Sequence, residues 1–222
     1  MADTKLSALT ALTGANVDAA VDILYIDDVS VTTGKKILID ELGIALNATQ
    51  AEVDAGTDTK GLIASLVNKV SLLATQATTS GTTKDFTFPA GTRQITMEFV
   101  GVSKSGTSNI LIQLGDAGGI EATGYLGASS AVTISTTNYT TGFGLDMAVA
   151  TYVVHGTVTL TLVDSATFTW VASGTLGQSD IGVAIVTAGS KSLSAELTTV
   201  RVTMVNGTDT FDAGLIGASY IR

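Results

Sequence analysis

The chain has no cysteine, and only one proline, one histidine and one tryptophan in 222 residues. Lack of cysteine excludes disulfides, thiolate catalysis and cysteine-ligated metal. It leaves the compartment open, because a disulfide-free β-protein works inside or outside a cell. With one histidine, any Ser-His-Asp triad or histidine-ligated metal has to use His155. Charge is scarce too: Asp, Glu, Lys and Arg make up 14% of the chain, against a usual quarter. The formal net charge is −9, and the eleven Lys and Arg do not cluster beyond Lys35-Lys36. No basic stripe exists for nucleic-acid phosphates, and an anionic membrane surface is disfavoured on the same ground. The stretch 147–163 is uncharged, but it carries His155, Gly156 and alternating threonines, so it reads as strands and not as a membrane span. Met1-Ala-Asp-Thr-Lys5 opens no signal peptide, since no basic region precedes an apolar run of the right length.

What fills the sequence is apolar and small. Hydrophobic residues make up 45% and glycine contributes 24 positions, with Thr, Ser and Ala in the space left by charge. Small and β-branched residues with few charges favour all-β structure. A mean hydropathy of +0.42 is high for a soluble monomer, which predicts apolar surface buried between chains.

Three regions follow from the patterning. Residues 1–46 hold a low-complexity start, Leu6-Ser-Ala-Leu-Thr-Ala-Leu-Thr-Gly14, and two short strand candidates. Asp22-Ile-Leu-Tyr-Ile-Asp27 and Lys36-Ile-Leu-Ile-Asp40 face each other across a loop closed by Thr33-Gly34, with opposite charges placed to pair across a ladder. So short a region without disulfides or metal needs a partner surface. Residues 47–83 are expected to be a helical connector and linker. Thr49-Gln-Ala-Glu52 is a capping box and Gly56 a stop. Ile63, Leu66, Val70 and Leu73 then recur at spacings of three, four and three, an a/d seam. We expect that seam to join copies of the chain, although its residue types do not set the number. Ala77-Thr-Thr-Ser-Gly-Thr-Thr83 reads as a linker by composition.

From residue 84 to 222 the period is two. Strands are expected at 86–88, 94–103, 109–114, 120–126, 131–135, 142–146, 152–154, 157–163, 168–172, 181–187, 196–205 and 211–220. Turn signals fall between them at Pro89-Ala-Gly91, Ser105-Gly106, Asp116-Ala-Gly-Gly119, Ser173-Gly174, Ala188-Gly189 and Asn206-Gly207. Ile95, Met97 and Phe99 are expected inside, with Thr96 and Glu98 outward. Val158, Leu160 and Leu162 repeat the pattern against Thr159 and Thr161. The last two strands read as a hairpin closed by Asn206-Gly207. The expected class is mainly β: an antiparallel β-sandwich or jelly roll, with a short helical connector and a small N-terminal hairpin region.

Few groups converge for chemistry. His155 reads as a turn or strand histidine. Asp209 and Asp212 have a spacing that suits calcium, but turn stabilisation explains them equally well. Asp27-Asp28 and Asp40-Glu41 are accounted for by strand-end charge and helix capping, not by a glycosidase carboxylate pair. Gly115, Gly118 and Gly119 lack the lysine and helix of a phosphate loop. No metal and no cofactor is expected, and no enzymatic activity. Trp170 and Phe168 read as core. Asn138-Tyr139, in a Thr-rich stretch, and Tyr125 are the candidates for sugar contact by stacking and hydrogen bonding.

Several stretches carry a resemblance. Lys84-Asp-Phe-Thr-Phe-Pro-Ala-Gly-Thr-Arg-Gln-Ile-Thr-Met-Glu-Phe-Val-Gly-Val-Ser-Lys-Ser-Gly-Thr-Ser-Asn-Ile-Leu-Ile-Gln-Leu-Gly115, followed by Thr123-Gly-Tyr125, resembles the C-terminal domain of bacteriophage tail fibres. The stretch Leu197-Thr-Thr-Val-Arg-Val-Thr-Met-Val-Asn-Gly-Thr-Asp-Thr-Phe-Asp-Ala-Gly214 is similar to that domain's closing hairpin. Ala2-Asp-Thr-Lys-Leu-Ser-Ala-Leu-Thr-Ala-Leu-Thr-Gly14 resembles the start of phage tail proteins, and Thr49-Gln-Ala-Glu-Val-Asp-Ala-Gly-Thr-Asp-Thr-Lys60 a segment frequent in tail fibres. The resemblance implies a homotrimer in the virion tail, held to tail or baseplate proteins by residues 1–46. It implies that residues 84–222 meet a host cell-surface glycan. A purely structural virion decoration or connector is the alternative, and a glycan depolymerase a third reading. Nucleic-acid binding and membrane insertion are not expected.

Overall fold

The computed structural model describes residues 70–132 and 135–222. The expected N-terminal hairpin, the capping box, Ile63 and Leu66 lie outside the described residues. Fourteen strands and no helix are described: β1 (Ser71–Leu72), β2 (Gln76–Ala77), β3 (Thr83–Thr87), β4 (Gln94–Lys104), β5 (Ile110–Asp116), β6 (Gly119–Ile120), β7 (Leu126–Ala131), β8 (Ser135–Tyr139), β9 (Phe143–Leu145), β10 (Val154–Asp164), β11 (Thr169–Gln178), β12 (Val183–Ser192), β13 (Thr199–Met204) and β14 (Phe211–Ile221). They form two antiparallel sheets. One has nine strands in the order β1-β14-β4-β10-β11-β12-β7-β8, with β2 also on β14. The other has five, β3-β13-β5-β6, with β9 also on β5.

The period-two pattern places the core as expected. Ile95, Met97 and Phe99 of β4 are buried with Val158 and Leu160 of β10 and Trp170 of β11. They share one cluster with Ile110, Ile112 and Leu114 of β5 and Val200 and Val202 of β13, so the two sheets close on a common interior. Each such side chain contributes about 1.5–3 kcal/mol on burial. Phe168 packs against this cluster from the turn before β11. Its φ of 49° is unusual for a bulky residue. That packing holds it, together with the bond its carbonyl accepts from the Leu193 amide at 3.2 Å.

Four expectations are corrected. First, residues 70–83 are not helical. Ser71 and Leu72 stand opposite Tyr220 and Ser219, and Gln76 and Ala77 opposite Ile216 and Leu215. Val70 is exposed and Leu73 packs on the sandwich core, so neither occupies a helical seam. Pairing with β14 overrides the three-four spacing here. The presumed linker is also tied down: the Thr78 amide donates to Gly214 O at 2.9 Å and its hydroxyl to Ala213 O at 2.7 Å. The sandwich therefore takes in residues from 71 onward, not from 84.

Second, β13 and β14 do not form a hairpin. β13 lies between β3 and β5, and β14 joins the other sheet beside β4. Asn206 spends its side-chain carbonyl on the Thr208 and Asp209 amides, each at 3.0 Å, which shapes a crossover loop and not a two-residue turn. Third, Ser173-Gly174 and Ala188-Gly189 sit within β11 and β12. A Cβ at Gly174 would come within 2.7 Å of Val158 Cγ2, and one at Gly189 within 2.6 Å of Leu126 O. These glycines admit close neighbours; they do not turn the chain. Fourth, the two strands expected at 152–154 and 157–163 are one. The register against β4 shifts between Val154 and Gly156, and Gly156 has a φ of +139°. The apparent break is a β-bulge.

Candidate interaction surface

The two tyrosines singled out for sugar stacking are buried. Tyr125 is 1% exposed and meets Phe143 edge to face. Its hydroxyl accepts from the Leu114 amide at 2.6 Å and donates to Glu121 O at 3.0 Å. Tyr139 is 5% exposed, at the end of β8, and its hydroxyl accepts from Asn109 Nδ2 at 2.7 Å. Burial raises the pKa of both phenols, that of Tyr139 to about 12 with the Asp146 charge adding to the effect. Both are internal fasteners, and of the three candidates only Asn138 is exposed. The pattern at 138–139 held the reason: in a strand, Asn138 outward forces Tyr139 inward.

Each tyrosine anchors a polar cluster. Around Tyr125, Lys191 forms an ion pair with Glu121 and stands 5.6 Å from the tyrosine ring centroid. Glu121 also accepts from the Ser194 amide at 2.7 Å, and Asp116 accepts from the Ser194 hydroxyl at 2.5 Å and the Gly118 amide at 2.7 Å. The Ser194 and Gly118 bonds hold the Asp116 carboxyl below its ordinary range. Burial pushes Glu121 up, but the Lys191 and Ser194 bonds outweigh it and leave it lowered. Around Tyr139, Asp146 accepts from the Ser135 hydroxyl at 2.7 Å and from Asn109 at 3.3 Å. Lone pairs and protons in both clusters are largely spent on the fold itself.

The same holds at the crossover loop. Asp209 accepts from the Ser108 amide at 2.9 Å and Asn206 Nδ2 at 2.8 Å, and Asp212 accepts from the Ser103 hydroxyl. Lys104 is buried beside them and donates to Gly106 O at 2.7 Å and Val149 O at 3.2 Å. Desolvation lowers its pKa to about 8, against the opposing pull of Asp209 and Asp212. Among the described residues no group of three His, Asp or Glu is placed to hold a metal ion. His155 lies in β10, where Nδ1 accepts from the Gly101 amide at 3.2 Å, part of the bulge.

What remains accessible is the outer face of the nine-stranded sheet. Register places its outward side chains in three cross-strand rows over β10, β11, β12, β7 and β8. The middle row is Thr159, Ser173, Ala188, Ala128 and Asn138. On one side stand Thr157, Thr175, Val186, Ser130 and Thr136; on the other, Thr161, Val171, Ser190 and Leu126. None of these fourteen residues is charged or aromatic. Leu126 is 76% exposed, Val186 46% and Val171 39%. The nearest outward charge is Glu98 on β4, opposite Thr157. Alternating hydroxyls and methyls make a neutral surface here, without charge and without an aromatic ring. No protein-family model, no curated protein and no solved structure matches this chain, so the surface is read from its own chemistry.

Proposed function

We propose that the chain is a structural protein of the phage tail-fibre type, without enzymatic activity. In this reading residues 1–46 attach it to tail or baseplate proteins of the virion, and the sandwich, with its strands wrapped in jelly-roll fashion, is presented to a host cell-surface glycan. Three copies about a common axis are what the tail-fibre resemblance implies. The observation that carries the structural part is the neutral outer face of the large sheet. A broad surface without charge supports contact with another such surface, and it fits neither nucleic acid nor a catalytic cleft. Sugar contact then rests on Asn138 and its neighbour Thr136 on β8, the end strand of the large sheet among the described residues.

Burial of Tyr125 and Tyr139 favours the second reading, a virion decoration or connector with no receptor of its own, because the stacking groups expected for a glycan are spent inside. Binding of the full chain to host cells, with purified surface polysaccharide as competitor, separates the two. Saturable, competed binding that falls severalfold on Asn138→Ala is the adsorption result. Binding at background level leaves the structural component. Release of reducing ends from the polysaccharide would overturn both in favour of a depolymerase.

A further inference from the structure

We infer that the neutral face over β10, β11, β12, β7 and β8 is covered by the same face of a second copy of this chain. The inference stands on charge and area; a same-face contact is twofold, so it is separate from the three copies about one axis of the phage reading. The chain carries −9 overall, so two copies repel wherever their charged surfaces meet. At this face the repulsion is smallest, since three successive rows hold Thr, Ser, Ala, Val, Leu and Asn alone. A partner of opposite charge would gain nothing here and would be drawn to Glu98, Asp164 or Asp180 at the borders. A glycan would find no aromatic plate. A surface equally free of charge is the complement, and the chain itself supplies one.

Size agrees. Five strands about 4.8 Å apart, crossed by three rows about 6.7 Å apart, present roughly 500 Å² per copy, or about 1,000 Å² for a pair, the level a specific interface needs. The middle row continues without charge to Thr96 on β4 and ends there, because Ser219 on β14 is buried. Leu126, Val186 and Val171 supply exposed apolar area that a lone copy would leave in water. β-branched and small residues lose little side-chain freedom when such faces meet.

The test is the mass of the full chain in solution, by light scattering across a hundredfold range of concentration. Wild type is expected as an assembly. Ala188→Glu and Ala188→Lys, at the middle of the face, are each expected to lower the mass at least twofold with an unchanged circular dichroism spectrum. An equimolar mixture of the two is expected to regain it, because opposite charges then meet across the contact. Thr87→Glu, on the outer face of the other sheet, is the control and keeps the wild-type mass. A monomeric wild type, or Ala188 variants with wild-type mass, overturns the inference. If those variants do not fold, Ser173→Lys and Ser130→Lys repeat the experiment at neighbouring positions of the same rows. Asn138 and Thr136 belong to this face, so a covered face and a sugar contact at those two residues exclude each other. An assembled wild type that binds host cells and loses that binding on Asn138→Ala overturns the face contact, and an assembly that binds none overturns adsorption alone.

Discussion

The outer faces of the two sheets are built on opposite terms. In the large sheet three outward rows hold no charge from β10 to β8, and Leu126, Val186 and Val171 among them are exposed. In the small sheet Asp85 of β3 meets Arg201 of β13 through two bonds of 2.7 Å, with Gln113 of β5 next in the row. There β5 is buried along its whole length, Leu111 and Gln113 included. One face is exposed, and the other is partly closed by the protein's own chain. A strand's outward residues thus carry different weight in the two sheets, which mutation can expose.

The largest effect is expected at Leu111, which points away from the shared core yet is 2% exposed, with the backbone near Gly142 over it. Leu111→Asp should cost on the order of 4 kcal/mol in urea unfolding, since it buries a charge without a partner. Val186→Asp, on the open face, should change stability by less than about 0.5 kcal/mol when measured dilute enough to keep copies apart. Equal costs at the two sites would erase the contrast.

Next comes Lys104. Its folded pKa of about 8 lies below the ordinary 10.5. Between those values the unfolded chain binds more protons, so stability should rise with pH by up to about 3 kcal/mol. Above pH 10 the sign reverses, because Tyr125 and Tyr139 ionise in the unfolded chain first. Lys104→Met should abolish the rise but keep the fall, as read from thermal midpoints across pH 7–11.

Glu121→Gln should cost about 2 kcal/mol by leaving Lys191, 7% exposed, without its counter-charge. Glu121 has a lowered pKa, so the same stability should drain away as acid protonates it through and below its ordinary range. The smallest effect belongs to the exposed pair. Asp85→Asn should cost under about 1 kcal/mol in dilute buffer and nothing measurable in molar salt. A larger, salt-resistant loss would mean that this face too is covered.

Much of the fold was legible from alternation alone, because a period of two leaves little choice about which residues of β4 and β10 face inward. What alternation cannot carry is the identity of a strand's neighbours. Val200, Val202 and Met204 announced a strand but not that β14 would leave for the other sheet. Glycine misled twice, at Gly174 and Gly189, where the need is space for a neighbouring strand and not a turn. At Leu73 a heptad-like spacing shared its residues with an edge strand, and pairing with β14 prevailed. The neutral face had no motif at all. It comes into view only when register sets Thr159, Ser173, Ala188, Ala128 and Asn138 side by side, from strands scattered over sixty residues.

The place of β14 between β4 and the β1–β2 edge has a consequence in time. Of the described strands it is made last, yet it bonds the flank of β4, one of the first. Until residues 211–221 leave the ribosome, β4 carries an open edge and the nine-stranded sheet has a gap one strand from its margin. Closing a loop of about a hundred residues is slow compared with forming local hairpins such as β10–β11. A nascent chain stalled before β14 is therefore a sheet with a vacant slot, open to any strand that arrives first.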